Sequence, residues 1–422
     1  MQFTRPRGTR DFLPEEMARR RYVEGVMRKV FESFGYGEIQ TPTFEQLELI
    51  TTKSGEDIRE HLYFFEDKSG RKLALRPELS APTMRLFVNE LRTTPKPRKI
   101  YYFENCFRYE RPQAGRYREF WQAGVELIGS NRAEADAEVI YLAVRTLEEL
   151  GINDFELNIG HLGVFRKFLE KCGIDEEGQN TLMGLIDKGD KGGLEDALDR
   201  SDISSENRKI LLKLITLRGT KKILKEAEEL LRDFDTEELK EFKKTLEVLE
   251  AFGISNYLVN FGIARGLDYY TGIVFEIAVP RLGAQKQICG GGSYSLIEAF
   301  GGGKMPSCGF AFGFDRVMLA LEIEGQNLPI KERTRVFVIP TSKDLLNEAI
   351  RVASIIRQYT SCEIELMGRK LDKAMNYANN EGIPYVVIVG EDELREGKVV
   401  LKDMKTGEQQ KIKTGEINNV VV

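Results

Sequence analysis

The sequence predicts an α+β chain of more than one domain, and three observations carry that reading. Two period-two segments, Lys99 to Phe107 and Phe120 to Ile128, lie close enough to pair as an antiparallel hairpin. A block at about residues 165–252 turns to Lys/Glu/Leu-rich helical patterning with no strand signal. From Arg335 onward strands and helices alternate, as in a small, largely parallel α/β unit. With 422 residues, two domains are expected, 1–330 and 331–422, with polar Gln326 to Thr334 as the linker.

Composition narrows the function classes. Hydrophobic residues at 41% and charged residues at 31% describe a globular, water-exposed protein. No apolar run reaches membrane-spanning length, and polar, basic Met1 to Pro6 is no secretory leader, so the expected compartment is the cytoplasm. Five scattered cysteines lack the spacing of a zinc site, so no bound metal is expected. Only His61 and His161 are present, which argues against histidine-based acid–base chemistry. A net charge of −5 excludes a globally basic nucleic-acid coat and leaves room for local basic loops.

Taken in order, Pro14, Glu15 and Glu16 mark a helix start, and Val23, Met27, Val30 and Phe31 give that helix an apolar side up to about Phe34. Glu38 to Pro42 reads as a strand ended by proline. Tyr63 to Asp67 and Lys72 to Pro77 form a hairpin, after which Glu78 and Ser80 either grip an ammonium group or close a turn in which Glu78 pairs with Arg76. The central stretch runs from Phe107 to Glu126. Its loop carries Arg111, Gln113 and Arg116; Arg108 ends the first strand, and Gln122, Gly124 and Glu126 share one face of the second. A guanidinium, an amide and a carboxylate beside a basic loop suit a small zwitterion held with a polyphosphate; the alternative is an exposed hairpin of solvated charges.

Ala133 to Leu150 follows the 3.6 period and stops at Gly151, and Phe155 to Ile159 is a short strand. After the helical block, Arg265 and Asp268 to Tyr270 precede a strand. An arginine there reaches a phosphate and a carboxylate, or else serves a structural turn. Gln287 to Tyr294 ends in glycines. Gly301 to Lys304 imitates a phosphate loop, but Met305 replaces the hydroxyl residue and the spacing fails. Gly309 to Arg316 passes from strand to helix with Arg316 in the first turn, a place that favours phosphate. In the last unit, Arg369, Lys370 and Lys373 are the candidates for a local RNA contact.

These segments resemble, in order, those of the histidyl-tRNA synthetase family of class II synthetases, most closely its archaeal-like form. Phe107 to Glu126 is similar to the second class II motif, Gly309 to Arg316 to the third, and Arg265-Gly266-Leu267-Asp268-Tyr269-Tyr270 to the run peculiar to the histidine enzymes. The last unit resembles the anticodon-binding domain. The resemblance implies a class II antiparallel sheet flanked by helices, a homodimer, and joining of histidine to tRNA(His) through an adenylate made from ATP with Mg2+. It also implies residue roles. Arg108 and Arg316 would clamp ATP phosphates, with Glu110 near the adenine. Glu78, Ser80 and Gln122 would hold the histidine amino end. Glu126 and Tyr270 would read the imidazole, with Tyr269 and Tyr294 lining the pocket. Arg265 would bridge phosphate and carboxylate, and Gln113 and Arg116 would meet the tRNA acceptor end. Ser80 and Ser295 depart mildly from the family pattern. A non-catalytic, histidine-sensing regulator of histidine biosynthesis is the alternative, and such relatives typically lack the arginine corresponding to Arg265.

Overall fold

The structure is a computed structural model that describes residues 3–52, 56–112, 115–234, 237–263, 270–330 and 333–421. It forms two compact units, Met1–Leu328 and Pro329–Val422.

The first unit is built on a nine-stranded sheet. Near one edge it holds the long hairpin Arg98–Phe107 and Glu119–Ile128, in antiparallel register from Arg98 opposite Ile128 to Phe107 opposite Glu119. Ser307–Gly313 adds antiparallel to the second hairpin strand, followed by Gln287–Tyr294, Tyr270–Ala278 and Glu156–His161. Leu258–Asn260 pairs parallel with Glu156–His161, and Gly37–Glu38 pairs parallel at the opposite edge. The pleat and register place Gln122, Gly124 and Glu126 on the same face as Ile100, Tyr102 and Glu104.

The helix Pro14–Ser33 begins at a proline and buries Val23, Met27, Val30 and Phe31. Phe31 meets Tyr101 at 5.5 Å and Phe310 at 6.1 Å between ring centroids, which seats the helix on the sheet. Ala133–Glu149 buries Val139, Ile140, Leu142, Ala143 and Leu147 and packs against Glu237–Ala251 of the helical block. That block holds helices from Leu162 to Ala251, several with side-chain caps: Asp175, Asp190 and Ser204 accept from Gly178, Gly193 and Asn207 N–H. It also contains a two-residue strand, Arg218–Gly219, that the helical pattern hides and that pairs with Leu258–Asn260.

The strand expected over Glu38 to Pro42 is shorter, Gly37–Glu38. Side chains capture the backbone beyond it: Thr41 N–H donates to Glu104 Oε1 at 3.0 Å, and Arg76 Nη1 donates to Thr41 O at 2.8 Å. These bonds replace ladder hydrogen bonds. Arg76 also pairs with buried Glu104, so its ion-pair partner is Glu104 and not Glu78.

The second unit is a five-stranded sheet in the order Cys362–Ile364, Val336–Pro340, Tyr385–Val389, Lys398–Asp403, Gln409–Lys413. The first three strands run parallel and the last two add antiparallel. Helices Leu346–Ile356 and Leu371–Asn380 each contribute to a separate small core.

Candidate active site

The site is assembled on the face that Glu126 shares with Gln122. Glu126 is 1% exposed and accepts from three hydroxyls: Ser80 Oγ at 2.9 Å, Tyr102 OH at 3.3 Å and Tyr294 OH. Burial lifts its carboxyl to about 8, against the hydrogen bonds that favour the charged form. A buried carboxylate with only neutral donors around it is ready for a ligand that brings an N–H. Two glycines make the room. A Cβ on Gly309 would lie 2.0 Å from Glu126 Oε2, and one on Gly124 would lie 2.6 Å from Tyr102 OH.

Glu78 turns its carboxylate onto the first turn of the helix Ser80–Leu86, accepting from Ser80 N–H at 2.5 Å and Ala81 N–H at 3.0 Å. Burial raises its carboxyl, opposed by those bonds and by Arg108. Arg108 lies one residue beyond its strand, donates from Nε to Pro77 O at 2.9 Å and sits 5.2 Å from the Phe120 ring. Gln122 accepts from Cys106 Sγ at 3.4 Å. Tyr270 and Tyr294 meet edge to face at 6.1 Å. Together Glu78, Ser80, Tyr102, Arg108, Gln122, Tyr270 and Tyr294 wall a cavity of about 100 Å³.

A larger cleft of about 510 Å³ continues past Arg108 and Gln122 to Glu110, Arg116 and Arg316. Arg316 donates to Gln287 O at 2.7 Å and Gly115 O at 3.2 Å, and Arg116 pairs with Glu110. Arg316 is held below its ordinary pKa by burial first, then by the charges of Arg108 and Arg116. Three guanidiniums that repel one another around a cleft form a site for a polyanion. The cleft and the smaller cavity share Arg108 and Gln122, so a ligand in each would meet at that point.

The structure therefore brings together Glu78, Ser80, Gln122, Tyr270 and Tyr294 in one pocket, with Glu126 hydrogen-bonded behind Ser80 and Tyr294, and Arg108, Glu110, Arg116 and Arg316 in the next. Gln113, Arg265 and Tyr269 lie outside the described residues. Two participants escaped the sequence reading. Tyr102 was hidden among core aromatics, and register opposite Gly124 is what aims it at Glu126. Asp315 looked like an ordinary acidic residue of a first helical turn. It instead binds Arg10, takes Arg20 Nη1 at 2.8 Å and accepts Trp121 N–H at 3.0 Å, tying the N-terminal segment to the strand–helix junction beside Arg316.

The comparison with protein families matches residues 8–317 to the model described as histidyl-tRNA synthetase, and residues 335–422 to the anticodon binding domain. The chain belongs to the histidyl-tRNA synthetase family. It is 50% identical to the histidine–tRNA ligase of Archaeoglobus fulgidus over 100% of both chains. It is 49% identical to that of Methanocaldococcus jannaschii over 99% of both. Among solved structures it resembles histidyl-tRNA synthetase from Nostoc sp. PCC 7120, with a TM-score of 0.80 at 25% identity, covering 100% of this chain and 99% of that one. The expected class II fold with its C-terminal anticodon-binding domain is borne out. This synthetase-family chain is thus an aminoacyl-tRNA ligase for histidine. Among its described residues, no helix is long and apolar enough to cross a membrane.

Proposed function

We propose that the chain activates histidine with ATP, as its Mg2+ complex, to histidyl-adenylate, and then transfers histidine to the 3′ end of tRNA(His). The observation that carries this reading is Glu126, a buried carboxyl group held by the hydroxyls of Ser80, Tyr102 and Tyr294, all three of which line a cavity next to an arginine-lined cleft.

At neutral pH free histidine offers one imidazole N–H and one bare ring nitrogen. The N–H donates to Glu126, which ionises as it gains this partner; Tyr270, at the pocket wall, supplies a hydroxyl to the other nitrogen, and Tyr294 keeps Glu126 oriented. Glu78, Ser80 and Gln122 receive the α-ammonium, a role that their place in the same cavity lining as Arg108 supports. The histidine carboxylate then points to Arg108. ATP takes the adjoining cleft, with Arg108 on the α-phosphate, Arg316 toward the terminal phosphate and Glu110 near the adenine. Arg265 would draw the carboxylate and the α-phosphate together. Attack of one anion on another needs charge neutralisation and positioning more than a general base. Leaving Glu126 without its N–H partner is what rejects apolar analogues, by roughly 10⁴–10⁵ for such a site.

The domain beginning near residue 331 is assigned to the anticodon, with Arg369, Lys370 and Lys373 as contacts and Gln113 and Arg116 at the acceptor end. The chain is assigned as a homodimer. Phe44 and Phe65 stand 51% and 43% exposed on one face of a small sheet, their rings 6.3 Å apart, an apolar face that a second copy would cover. Buried free Cys106, Cys308 and Cys362 fit a reducing, cytoplasmic setting. The histidine-sensing regulator is the weaker reading, because the anticodon-binding match spans residues 335–422.

The test is ATP–pyrophosphate exchange with each standard amino acid, followed by charging of purified tRNA. Exchange and charging with histidine alone support the assignment. Exchange driven by proline or threonine and not by histidine contradicts the specificity, and histidine binding without charging favours the regulator.

A further inference from the structure

The segment ahead of the first helix is built into the arginine-lined cleft. Gly8 sits at a φ of +86°, and its carbonyl accepts the Arg118 N–H at 2.9 Å, just before the strand Glu119–Ile128 begins. The fit there is tight. A Cβ on Gly8 would lie 2.7 Å from both Cγ and Cδ of Arg118 and 3.0 Å from Pro112 Cγ. Arg118 has little freedom to yield, because its Nε donates to Glu110 O at 3.1 Å and its guanidinium lies 4.0 Å from the centre of the Tyr109 ring.

Two residues on, Arg10 touches two different elements that line the cleft. Its guanidinium carbon lies 3.4 Å from the centre of the Tyr117 ring, and its Nη2 donates to Asp315 Oδ1. Tyr117 follows Arg116, and Asp315 precedes Arg316. Those four residues line the cleft of about 510 Å³, whereas Arg10 stands outside the lining. Arg116 and Arg316 carry like charges that repel, so other groups must impose their spacing. Gly115 O does part of this by accepting from Arg316 Nε at 3.2 Å, and the Arg10 bridge ties the next residue of each element. The bridge also answers a charge. Asp315 is 4% exposed on the cleft wall, where an uncompensated carboxylate would repel a polyanion and compete with it for Arg316. Arg10 and Arg20 both pair with that carboxylate, and Trp121 N–H donates to it at 3.0 Å.

We propose that Arg10 is a positioning residue for the nucleotide: carried by the segment that Gly8 seats on Arg118, it clamps Tyr117 to Asp315 and so sets the spacing of Arg116 and Arg316. This inference rests on the reading of the cleft as the ATP site.

The test is ATP–pyrophosphate exchange by the full chain, with ATP and histidine varied in turn, for Arg10→Ala, Arg10→Lys, Gly8→Ala and Arg316→Ala, and with melting temperatures measured alongside. Asp315 keeps Arg20 in all of these variants, so each is expected to fold. KM for ATP is expected to rise about tenfold in Arg10→Ala and in Gly8→Ala, while KM for histidine stays close to that of the parent chain. Arg10→Lys keeps the charge beside Asp315 and loses the planar stack on Tyr117, so its KM for ATP is expected to fall between. Gly8→Ala is decisive because it displaces the segment and changes no charge. A parental KM for ATP in either Arg10→Ala or Gly8→Ala, while Arg316→Ala raises it, overturns the proposal and leaves the cleft reading standing. In Arg10→Ala that result, with a lowered melting temperature, reduces the residue to a structural one; in Gly8→Ala it reduces Arg10 to its charge. If Arg316→Ala also keeps the parental KM for ATP, the reading of the cleft falls and the proposal falls with it.

Discussion

Glu126 has two consequences that follow from its burial. Its carboxyl lies near 8 in the folded protein and at about 4.5 in the unfolded chain. The folded state therefore binds the extra proton between those values, and its stability falls as pH rises through that window. The loss is roughly 4–5 kcal/mol, complete near pH 8 and absent below about pH 4.5. Glu126→Gln removes the ionisable group. Urea melts without histidine are expected to show the variant gaining on the parent chain as pH goes from 5 to 8; equal slopes would mean Glu126 is already ionised in the free pocket. Asp315 gives a second residue-level expectation. Its partner Arg20 is nearly buried, and Arg20 also faces the rings of Phe12, Trp121 and Phe314. Asp315→Asn leaves that guanidinium without its counter-charge, an expected loss of about 3–5 kcal/mol in denaturant melts. A change within about 0.5 kcal/mol would show that the aromatic rings alone hold Arg20.

Among the elements, strand register governs the pocket more than any single side chain. Gly309 stands opposite Glu126, and Ala311 opposite Gly124, so the strand Ser307–Gly313 forms the floor. Gly309→Ala is expected to cut histidine-dependent exchange by 10²-fold or more while leaving the far-UV spectrum intact, because backbone of Val125 also crowds that Cβ. Near-normal exchange would show that the carboxylate can move aside. This dependence on register explains what was legible beforehand. The hairpin strands, the helix Pro14–Ser33 and the Phe314–Ile323 helix announce themselves by period and by terminal residues, so Gln122, Glu126 and Arg316 were found from sequence. Tyr102 and Asp315 were not, because their partners are fixed by cross-strand pairing and by an ion pair spanning most of the first unit. Short strands failed for a related reason. Gly37–Glu38 and Arg218–Gly219 exist only through pairing with distant segments, which leaves no local period to read.

At the scale of the whole molecule, each unit has its own core, the first spanning sheet and helical block, the second split across the two faces of its smaller sheet. A chain ending at Leu328 is accordingly expected to keep histidine-dependent exchange within several-fold and to lose most tRNA charging; loss of both would tie the pocket's integrity to the second unit. Phe65→Lys is expected to shift the chain to monomer in sedimentation, and an unchanged mass would place the dimer contact elsewhere. All of this depends on one pairing, a buried carboxylate with the imidazole N–H of histidine. The most direct measurement is steady-state ATP–pyrophosphate exchange by Glu126→Gln. A hydrogen bond to a charged group contributes about 1.5–3 kcal/mol, so kcat/KM for histidine should fall on the order of 10–10²-fold while KM for ATP stays close to that of the parent chain. Parental kcat/KM for histidine in the variant would contradict the account.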